Sequence, residues 1–158
     1  MKKFLVSVLS VLILSSCNRV DFQPDFPVYC SGKAEITCDD TVYSADVSYE
    51  NELLNITVTS PSPLEEFVLT VKNGEITVNN DSLTLKYDKT KTQELFPIAS
   101  IYDVMVNLNR IKPEFKSVND DIFAEFKTCG KDCVVSLDKE SKKIELIKYN
   151  GMTVDFRS

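Results

Sequence analysis

Cysteines are the residues of this sequence with the greatest capacity for chemistry, because the chain has five of them and no histidine. The absence of histidine excludes Ser-His-Asp triads, Cys-His dyads and every zinc site that contains histidine. A four-cysteine zinc site favours pairs with two to four intervening residues, whereas seven residues separate Cys30 from Cys38. The sequence therefore predicts no metal site and no cofactor.

Catalysis would have to come from hydroxyls, thiols or carboxylates. Adjacent acids occur at Asp39-Asp40, Glu65-Glu66 and Asp120-Asp121. Two carboxylates hydrolyse a glycosidic bond only when a cleft holds them about 5 to 9.5 Å apart, and adjacent acids in turns are usually solvated. We expect no catalytic residues and hence no enzyme, with a carboxylate hydrolase as the least favoured alternative.

The first seventeen residues have the features of an export signal. Lys2 and Lys3 are followed by an eleven-residue apolar stretch, residues 4–14, which is interrupted only by two serines. A transmembrane helix needs about 20 apolar residues, so this stretch matches the apolar region of a secretory signal instead.

Leu14-Ser15-Ser16-Cys17 resembles the lipobox of bacterial lipoproteins, in which a branched apolar residue and two small residues precede a cysteine. The resemblance implies that residues 1–16 are a removed signal peptide. It also implies that the Cys17 thiol carries a diacylglyceryl group, which anchors the protein to the extracytoplasmic side of a membrane in the cell envelope. An ordinary signal peptide with an incidental cysteine is the alternative.

Charge limits the partners of the mature chain. The net charge is −6, and removal of residues 1–16 takes away two basic side chains, which leaves −8 on 142 residues. An acidic protein is poorly suited to nucleic acid, whose phosphates bind Lys and Arg, and it gains little from anionic lipid by charge alone. We expect a monomer that the lipid, and not charge, holds at the membrane.

Residues 17–29 read as a tether, because Pro24 and Pro27 disfavour regular strand pairing there. Phe22 and Phe26 alternate with the prolines, and we expect their rings to dock on the domain surface.

The other four cysteines suggest two disulfides, since an even number in an exported domain is typical of them. Cys129 and Cys133 flank a tight turn, which favours a local pair. If a straight strand joins Cys30 and Cys38, its eight residue steps separate them by about 26 Å, whereas a disulfide allows about 4.4–6.8 Å between Cα atoms. That pair would need a bend near Gly32. Cross-pairing between the two groups and free thiols stay open.

Alternation of apolar and polar residues dominates the chain after position 30. It marks strands around residues 43–49, 54–58, 67–71, 76–78 and 83–87, and again over 122–128, 133–137, 143–149 and 152–156. Period two predicts sheet with one buried face. Short turns such as Asn73-Gly74 and Asn150-Gly151 make sequence neighbours antiparallel.

One helix is predicted between the two groups of strands. Pro97 suits a first helical turn, and Lys112-Pro113 ends the segment. Ile98, Ile101, Met105 and Leu108 fall at helical spacing, with Ser100, Asp103 and Asn107 on the other side. The predicted fold class is α+β but mostly β: a curved antiparallel sheet of about ten strands with one covering helix, in a single domain over residues 30–158.

The order of these elements resembles the extracytoplasmic lipoprotein-carrier superfamily, of LolA and LppX type. The residues behind the resemblance are Leu54–Pro61, Phe67–Val71 and Asn73–Val78: a strand ending in proline, another strand, and a hairpin turned by glycine. The resemblance implies a half-open antiparallel barrel that binds or carries a lipid or acyl chain without catalysis.

An apolar ligand of this kind would lie between the helix and the sheet. The candidate lining residues on the helix are Ile98, Ile101, Met105 and Leu108. Those on the sheet are Leu54, Ile56, Val58, Phe67 and Leu69. Plain core packing is the alternative for each of them. A surface lipoprotein that binds another protein, without a ligand cavity, is the competing hypothesis for the whole chain.

Overall fold

The structure is a computed structural model that describes residues 22–62, 64–81, 83–88, 97–118 and 121–156. Residues 1–16 and Cys17, to which the signal and lipid predictions refer, lie outside these ranges. The described residues form eleven strands and one α-helix. The strands are β1 Cys30–Cys38, β2 Thr41–Glu50, β3 Leu53–Ser60, β4 Val68–Lys72, β5 Glu75–Asn80, β6 Leu83–Asp88, β7 Lys116–Val118, β8 Asp121–Thr128, β9 Lys131–Leu137, β10 Ile144–Tyr149 and β11 Met152–Asp155.

The predicted fold class is confirmed, since the chain is mostly β and forms one open antiparallel sheet with one helix. The described residues contain eleven strands instead of about ten. The additional strand is β7, whose three residues are too few to show alternation in the sequence.

Tight turns set the register of the hairpins. Asn73-Gly74 joins β4 to β5, Asn150-Gly151 joins β10 to β11, and both residues of each turn have positive φ. Type I′ turns require this conformation, and glycine adopts it without steric cost. The two hairpins predicted from Asn-Gly are therefore confirmed.

Strand order follows the sequence except at one place. The sheet runs β6-β5-β4-β3-β2-β1-β11-β10-β9-β8-β7, so the first and last strands of the fold are neighbours. Their register pairs Glu35 with Asp155 and Cys38 with Met152. This pairing joins two meandering halves into one sheet and leaves β6 and β7 at its edges.

The helix connects these two edges. A 3₁₀ turn, Pro97–Ala99, leads into α1, Ser100–Ile111. Lys112 ends the helix in the left-handed conformation and donates its backbone N–H to the Leu108 carbonyl at 2.9 Å. Pro113 cannot donate a backbone hydrogen bond, so the predicted end is confirmed. The helical residues that the structure describes form no segment with the length and apolarity to span a membrane.

The sheet curves around α1. The helix contacts β3 and β8, which lie six strand spacings apart in the sheet order. In a flat sheet this separation would be about 29 Å. A helix of twelve residues is only about 18 Å long and about 10–12 Å wide. Both contacts therefore require a concave sheet face that encloses the helix.

Enclosure extends to the polar side of the helix. Ser100 is buried, and Asn107 is half-buried. The Asn107 side-chain amide donates to the Asp103 carbonyl at 3.0 Å and to the hydroxyl of Thr128 on β8. This side packs against the sheet because the sheet surrounds more than the apolar stripe of the helix.

Candidate functional site

The interface between helix and sheet is a continuous apolar core. Ile101, Met105 and Leu108 of α1 are fully buried there, and so are Leu54 and Ile56 of β3. Leu69 of β4 is also buried and belongs to the same cluster. The structure therefore brings together six of the nine residues predicted to line a ligand site, and it packs them as core.

The other three candidates lie toward the margin of the core. Ile98 is half-buried and packs against the core from the 3₁₀ turn. Val58 is buried at the far end of β3, where its N–H donates to the Phe67 carbonyl at 2.9 Å. Phe67 is half-buried and precedes β4 instead of starting it. None of the nine candidates lines any of the three surface clefts described below; their role in ligand binding stays a prediction.

An asparagine on the helix holds the segment before β1. The Val28 N–H donates to Asn109 Oδ1 at 2.6 Å, and Asn109 Nδ2 donates to the Val28 carbonyl oxygen at 3.0 Å. Asn109 also forms a hydrogen bond with the Tyr49 hydroxyl. Burial raises the pKa of Tyr49 to about 12, against the effect of that hydrogen bond. The Asn109 side chain therefore satisfies both backbone polar groups of Val28, as a neighbouring strand would.

The predicted docking of the two phenylalanines is confirmed. Phe22 forms a β-bridge with Phe115, and their rings meet edge to face with centroids 6.3 Å apart. Phe26 packs against the core and lies under the Lys112 ammonium, 5.9 Å from Nζ. The described part of the predicted tether is thus folded onto the domain.

The largest of the three clefts lies beside this N-terminal segment. It has a volume of about 840 Å³ and opens between the N-terminal segment and the loop that joins β9 to β10. Its walls mix apolar and charged side chains: Val28, Ile144 and Phe156 with Lys33, Lys142 and Glu145.

A second cleft of about 600 Å³ lies on the other side of the segment, between Pro27 and Arg110 of the helix. The sequence patterns did not point to either cleft, because both depend on where the N-terminal segment docks. A third hollow of about 240 Å³ lies over Glu50 and Lys72, at one end of β2 and β4.

A small polar network lies within the apolar core. The Thr128 side chain is buried, and its hydroxyl both accepts from Asn107 and approaches the Asp103 carbonyl at 3.4 Å. The Tyr149 hydroxyl donates to the Thr128 carbonyl at 3.4 Å. These contacts satisfy the buried polar groups and connect α1 to β8 and β10, which is a structural role.

The four described cysteines are free thiols. Cys30 and Cys38 stand at opposite ends of β1, which pairs with β2 without interruption from Cys30 to Cys38. Eight residue steps of strand span about 26 Å, well beyond the reach of a disulfide. Cys129 belongs to the Cys129-Gly130 turn, whereas Cys133 lies within β9 opposite Phe126. The register therefore does not place Cys129 opposite Cys133, and the local pair that the sequence favours stays a prediction.

Cys38 and Cys133, one of the possible cross-pairs, are also separated in this register. Cys38 pairs with Met152, which pairs with Tyr149, which pairs with Cys133. Three strand spacings, about 14 Å, thus separate Cys38 from Cys133. Burial raises the pKa of the Cys30 and Cys133 thiols to about 12, so both are protonated and unreactive at neutral pH.

Two of the three adjacent carboxylate pairs lie in exposed turns and loops of the described chain. Asp39 and Asp40 are exposed in the turn after β1, and Glu65 and Glu66 are exposed in the loop before β4, as the sequence predicts. The described residues also hold no cluster of three or more potential metal ligands.

Similarity to known proteins is found in the fold and not in the sequence. No protein-family model matches the chain, and no curated protein is similar enough to count as a match. One chain of the structure of the CwlD amidase from Clostridioides difficile in complex with the GerS lipoprotein is similar over 100% of this chain and 94% of that chain. The TM-score is 0.50 and the sequence identity is 15%.

A second solved structure, the LolA superfamily protein NE2245 from Nitrosomonas europaea, is similar over 83% of this chain and 67% of that chain. Its TM-score is 0.36 and its identity is 9%. Similarity at these identities concerns the fold alone. The open curved sheet that the lipoprotein-carrier resemblance implies is present, and membership of that superfamily stays a prediction.

Proposed function

We propose that this chain is a lipid-anchored, monomeric protein on the extracytoplasmic side of the cell envelope, and that it works by binding another protein without catalysis. The observation that supports this best is the filled interior. The helix residues that face the sheet, and the sheet residues that face the helix, are buried against one another. Side chains packed in this way leave little room for an acyl chain between helix and sheet. We therefore infer that a partner binds to the outer surface of the domain.

Anchoring at Cys17 fits the way in which the N-terminal segment is held. Only four residues lie between Cys17 and Phe22, and Phe22 is already docked on the domain. Five residue steps of extended chain reach at most about 18 Å. A lipid on Cys17 would therefore keep the folded domain close to the membrane surface.

The C. difficile neighbour supports the proposal as a precedent. That structure contains a lipoprotein assembled with an amidase. The precedent is that a chain with this fold can take part in an assembly of proteins. The chemistry of a partner for the present chain is inferred from the surface of this chain.

Binding of an apolar or amphiphilic ligand is the second candidate, and one observation favours it. The 840 Å³ cleft beside Val28 has the volume of a small-molecule site and an apolar wall formed by Ile144 and Phe156. Lys33, Lys142 and Lys143 at the same cleft could bind an anionic headgroup.

Native mass spectrometry separates the two candidates. The sample is the mature chain, residues 17–158, with Cys17→Ser so that no anchor lipid is attached. Protein binding predicts a mass equal to that of the polypeptide and no uptake of a fluorescent fatty acid. A co-purifying lipid mass, or saturable uptake of the fatty acid, would contradict the first proposal and support the second.

A further inference from the structure

The two edges of the sheet differ in how well they are protected. The β7 edge is only three residues long, and the β-bridge between Phe22 and Phe115 lies immediately before it. Lys116 adds a charge there. The β6 edge has six residues, Leu83–Asp88, and β5 is its strand neighbour in the described sheet. Proteins usually shorten, charge or cover their edges, because an open edge accepts a strand from another chain.

Exposed leucines distinguish the β6 edge further. Leu83 is 53% exposed and Leu85 is 39% exposed. Leu85 pairs with Val78 of β5, and Leu83 pairs with Asn80. Because alternate residues of a strand share a face, both leucines lie on the same side of the sheet. That side is the concave one, since Val78 packs against the core.

Charge is distributed unevenly between the two halves of the sheet. Residues 30–88, which form β1 to β6, carry eleven acidic and three basic side chains, whereas residues 97–156 carry ten and nine. Asp81 and Asp88 stand at the two ends of β6, and Lys86 of this strand is paired with Glu75 at 2.9 Å. The half that carries the open edge is therefore the acidic half, and it attracts a basic partner.

We propose that the β6 edge, Leu83–Asp88, is a docking site for an extended segment of a partner protein. The segment has apolar residues at alternate positions and basic residues at both ends. Its backbone pairs with β6, its apolar side chains cover Leu83 and Leu85, and its basic ends meet the acidic half of the sheet, which includes the exposed Asp81. Backbone pairing provides affinity and the side chains provide specificity. This inference rests on the proposed protein-binding function.

The segment that leads to Cys17 docks at Phe115, next to β7, at the other edge of the sheet. An anchor there leaves the β6 edge accessible to a partner in the envelope, and anionic headgroups favour the less acidic half at the membrane.

A synthetic peptide tests the docking chemistry directly. The probe is a fluorescent nonapeptide, Arg-Arg-Val-Thr-Leu-Thr-Val-Arg-Arg, and the protein is the mature chain with Cys17→Ser. We expect saturable binding in fluorescence anisotropy, with Leu85→Lys and Leu83→Lys each raising Kd about tenfold or more, since burial of a leucine contributes at least that factor. Absence of saturable binding, or an unchanged Kd in both variants, would overturn the proposal.

Three controls isolate the features of the site. Val42→Lys changes a side chain that is 49% exposed on β2, an internal strand, and should leave Kd within about twofold. A peptide with glutamate in place of arginine should bind about tenfold more weakly, as should a peptide with N-methyl groups on alternate residues. Equal binding of the N-methylated peptide would exclude strand pairing, and an equal effect of Val42→Lys would exclude a site at β6.

Photo-crosslinking in cells separates this site from the wider proposal. The full lipoprotein is made with p-benzoylphenylalanine at Leu85, at Val42 or at Ile111, which is exposed at the end of the helix. Crosslinks from Leu85 that map to an alternating segment with basic flanks support the site. Crosslinks to a partner only from the other positions overturn the β6 site but leave protein binding intact. Crosslinks to a second copy, or none from any position, overturn the site, and the last result also contradicts the proposed function.

Discussion

The side chain of Asn109 binds the backbone of Val28 through both of its polar groups. Its oxygen accepts the Val28 N–H at 2.6 Å, and its nitrogen donates to the Val28 carbonyl at 3.0 Å. A residue near the end of the only helix in the described part of the chain therefore holds the segment that leads to the predicted lipid. Integrity of the helix and docking of the N-terminal segment are thus connected.

Asn109→Ala is predicted to release the N-terminal segment. Loss of both hydrogen bonds should lower the free energy of unfolding by about 1–3 kcal/mol, because the Val28 groups lose their partner. Hydrogen exchange of residues 22–28 should accelerate, and urea unfolding gives the energy. Asn55→Ala is the matched control, since Asn55 accepts one hydrogen bond from Thr70 on the sheet. Unchanged exchange of residues 22–28 would show that other contacts hold the segment.

Met105→Ala tests whether the helix contacts are core or ligand wall. A fully buried methionine in a packed core should cost about 2–5 kcal/mol of unfolding free energy on truncation. Ile111→Ala on the same helix should change the free energy by less than about 0.5 kcal/mol, since Ile111 is exposed. A loss near zero for Met105→Ala would indicate space at this position and favour an enclosed ligand.

Thiol reactivity should follow burial. In the native protein at neutral pH, N-ethylmaleimide should modify Cys129 fastest and Cys38 more slowly. Cys30 and Cys133 should react only after unfolding, because both are buried and protonated. Intact mass gives the count, and after denaturation all four should react. A denatured, unreduced sample with fewer than four modified thiols would reveal a disulfide and favour the sequence-based prediction over the free thiols of the structure.

Stability should decrease at alkaline pH. The pKa values of Cys30 and Cys133 rise from 9.0 to about 12 on folding, so the folded state keeps protons that the unfolded state loses. The contribution of these thiols is complete below about pH 9 and falls as the pH rises from 9 toward 12. Urea unfolding at pH 8, 9 and 10 under reducing conditions measures the loss.

Cys30→Ala with Cys133→Ala is the matched comparison for this pH dependence. The double variant should lose less free energy between pH 8 and pH 10 than the unmodified sequence. Tyr49 contributes to the remaining slope, because burial raises its pKa from 10.0 to about 12. Identical slopes in both proteins would assign the alkaline loss to groups other than the two thiols.

Cys17→Ala should prevent anchoring, since the thiol is the atom that carries the lipid in the lipobox proteins that the sequence resembles. Fractionation of cells and mass spectrometry of the product are the measurements. We expect the variant to leave the membrane fraction or to keep residues 1–16. Membrane retention with the same processed mass as the unmodified protein would contradict the lipobox interpretation. Ser31→Ala, an exposed change on β1, serves as the control.

Local patterns predicted most of the secondary structure. Alternation identified nine of the eleven strands in the described residues, and Asn73-Gly74 and Asn150-Gly151 identified two of their hairpins. These signals are local because the side-chain period and the turn conformation depend on residues close in sequence. The strand β7 was missed because three residues hold too little alternation.

Features that depend on residues distant in the sequence had little or no signal in the local patterns. The spacing identified the polar side of the helix, with Ser100 and Asn107, but not its enclosure by the curved sheet. Pairing of Cys129 with Cys133 stays a prediction, and the sequence did not indicate that the turn ends at Gly130 with Cys133 inside β9. The Asn109 contact had no sequence signal, since it joins residues 81 positions apart.

The sequence by itself determined which residues form strands, which turns reverse them, where the helix ends and which thiol matches a lipid attachment motif. Only the tertiary structure decided that β1 pairs with β11, that the N-terminal segment docks on the helix and that β6 is the longer edge strand of the described sheet. The physical reason is distance along the chain. Alternation and turn chemistry act over a few residues, whereas the pairing of Glu35 with Asp155 depends on loop closure and on the packing of the whole core.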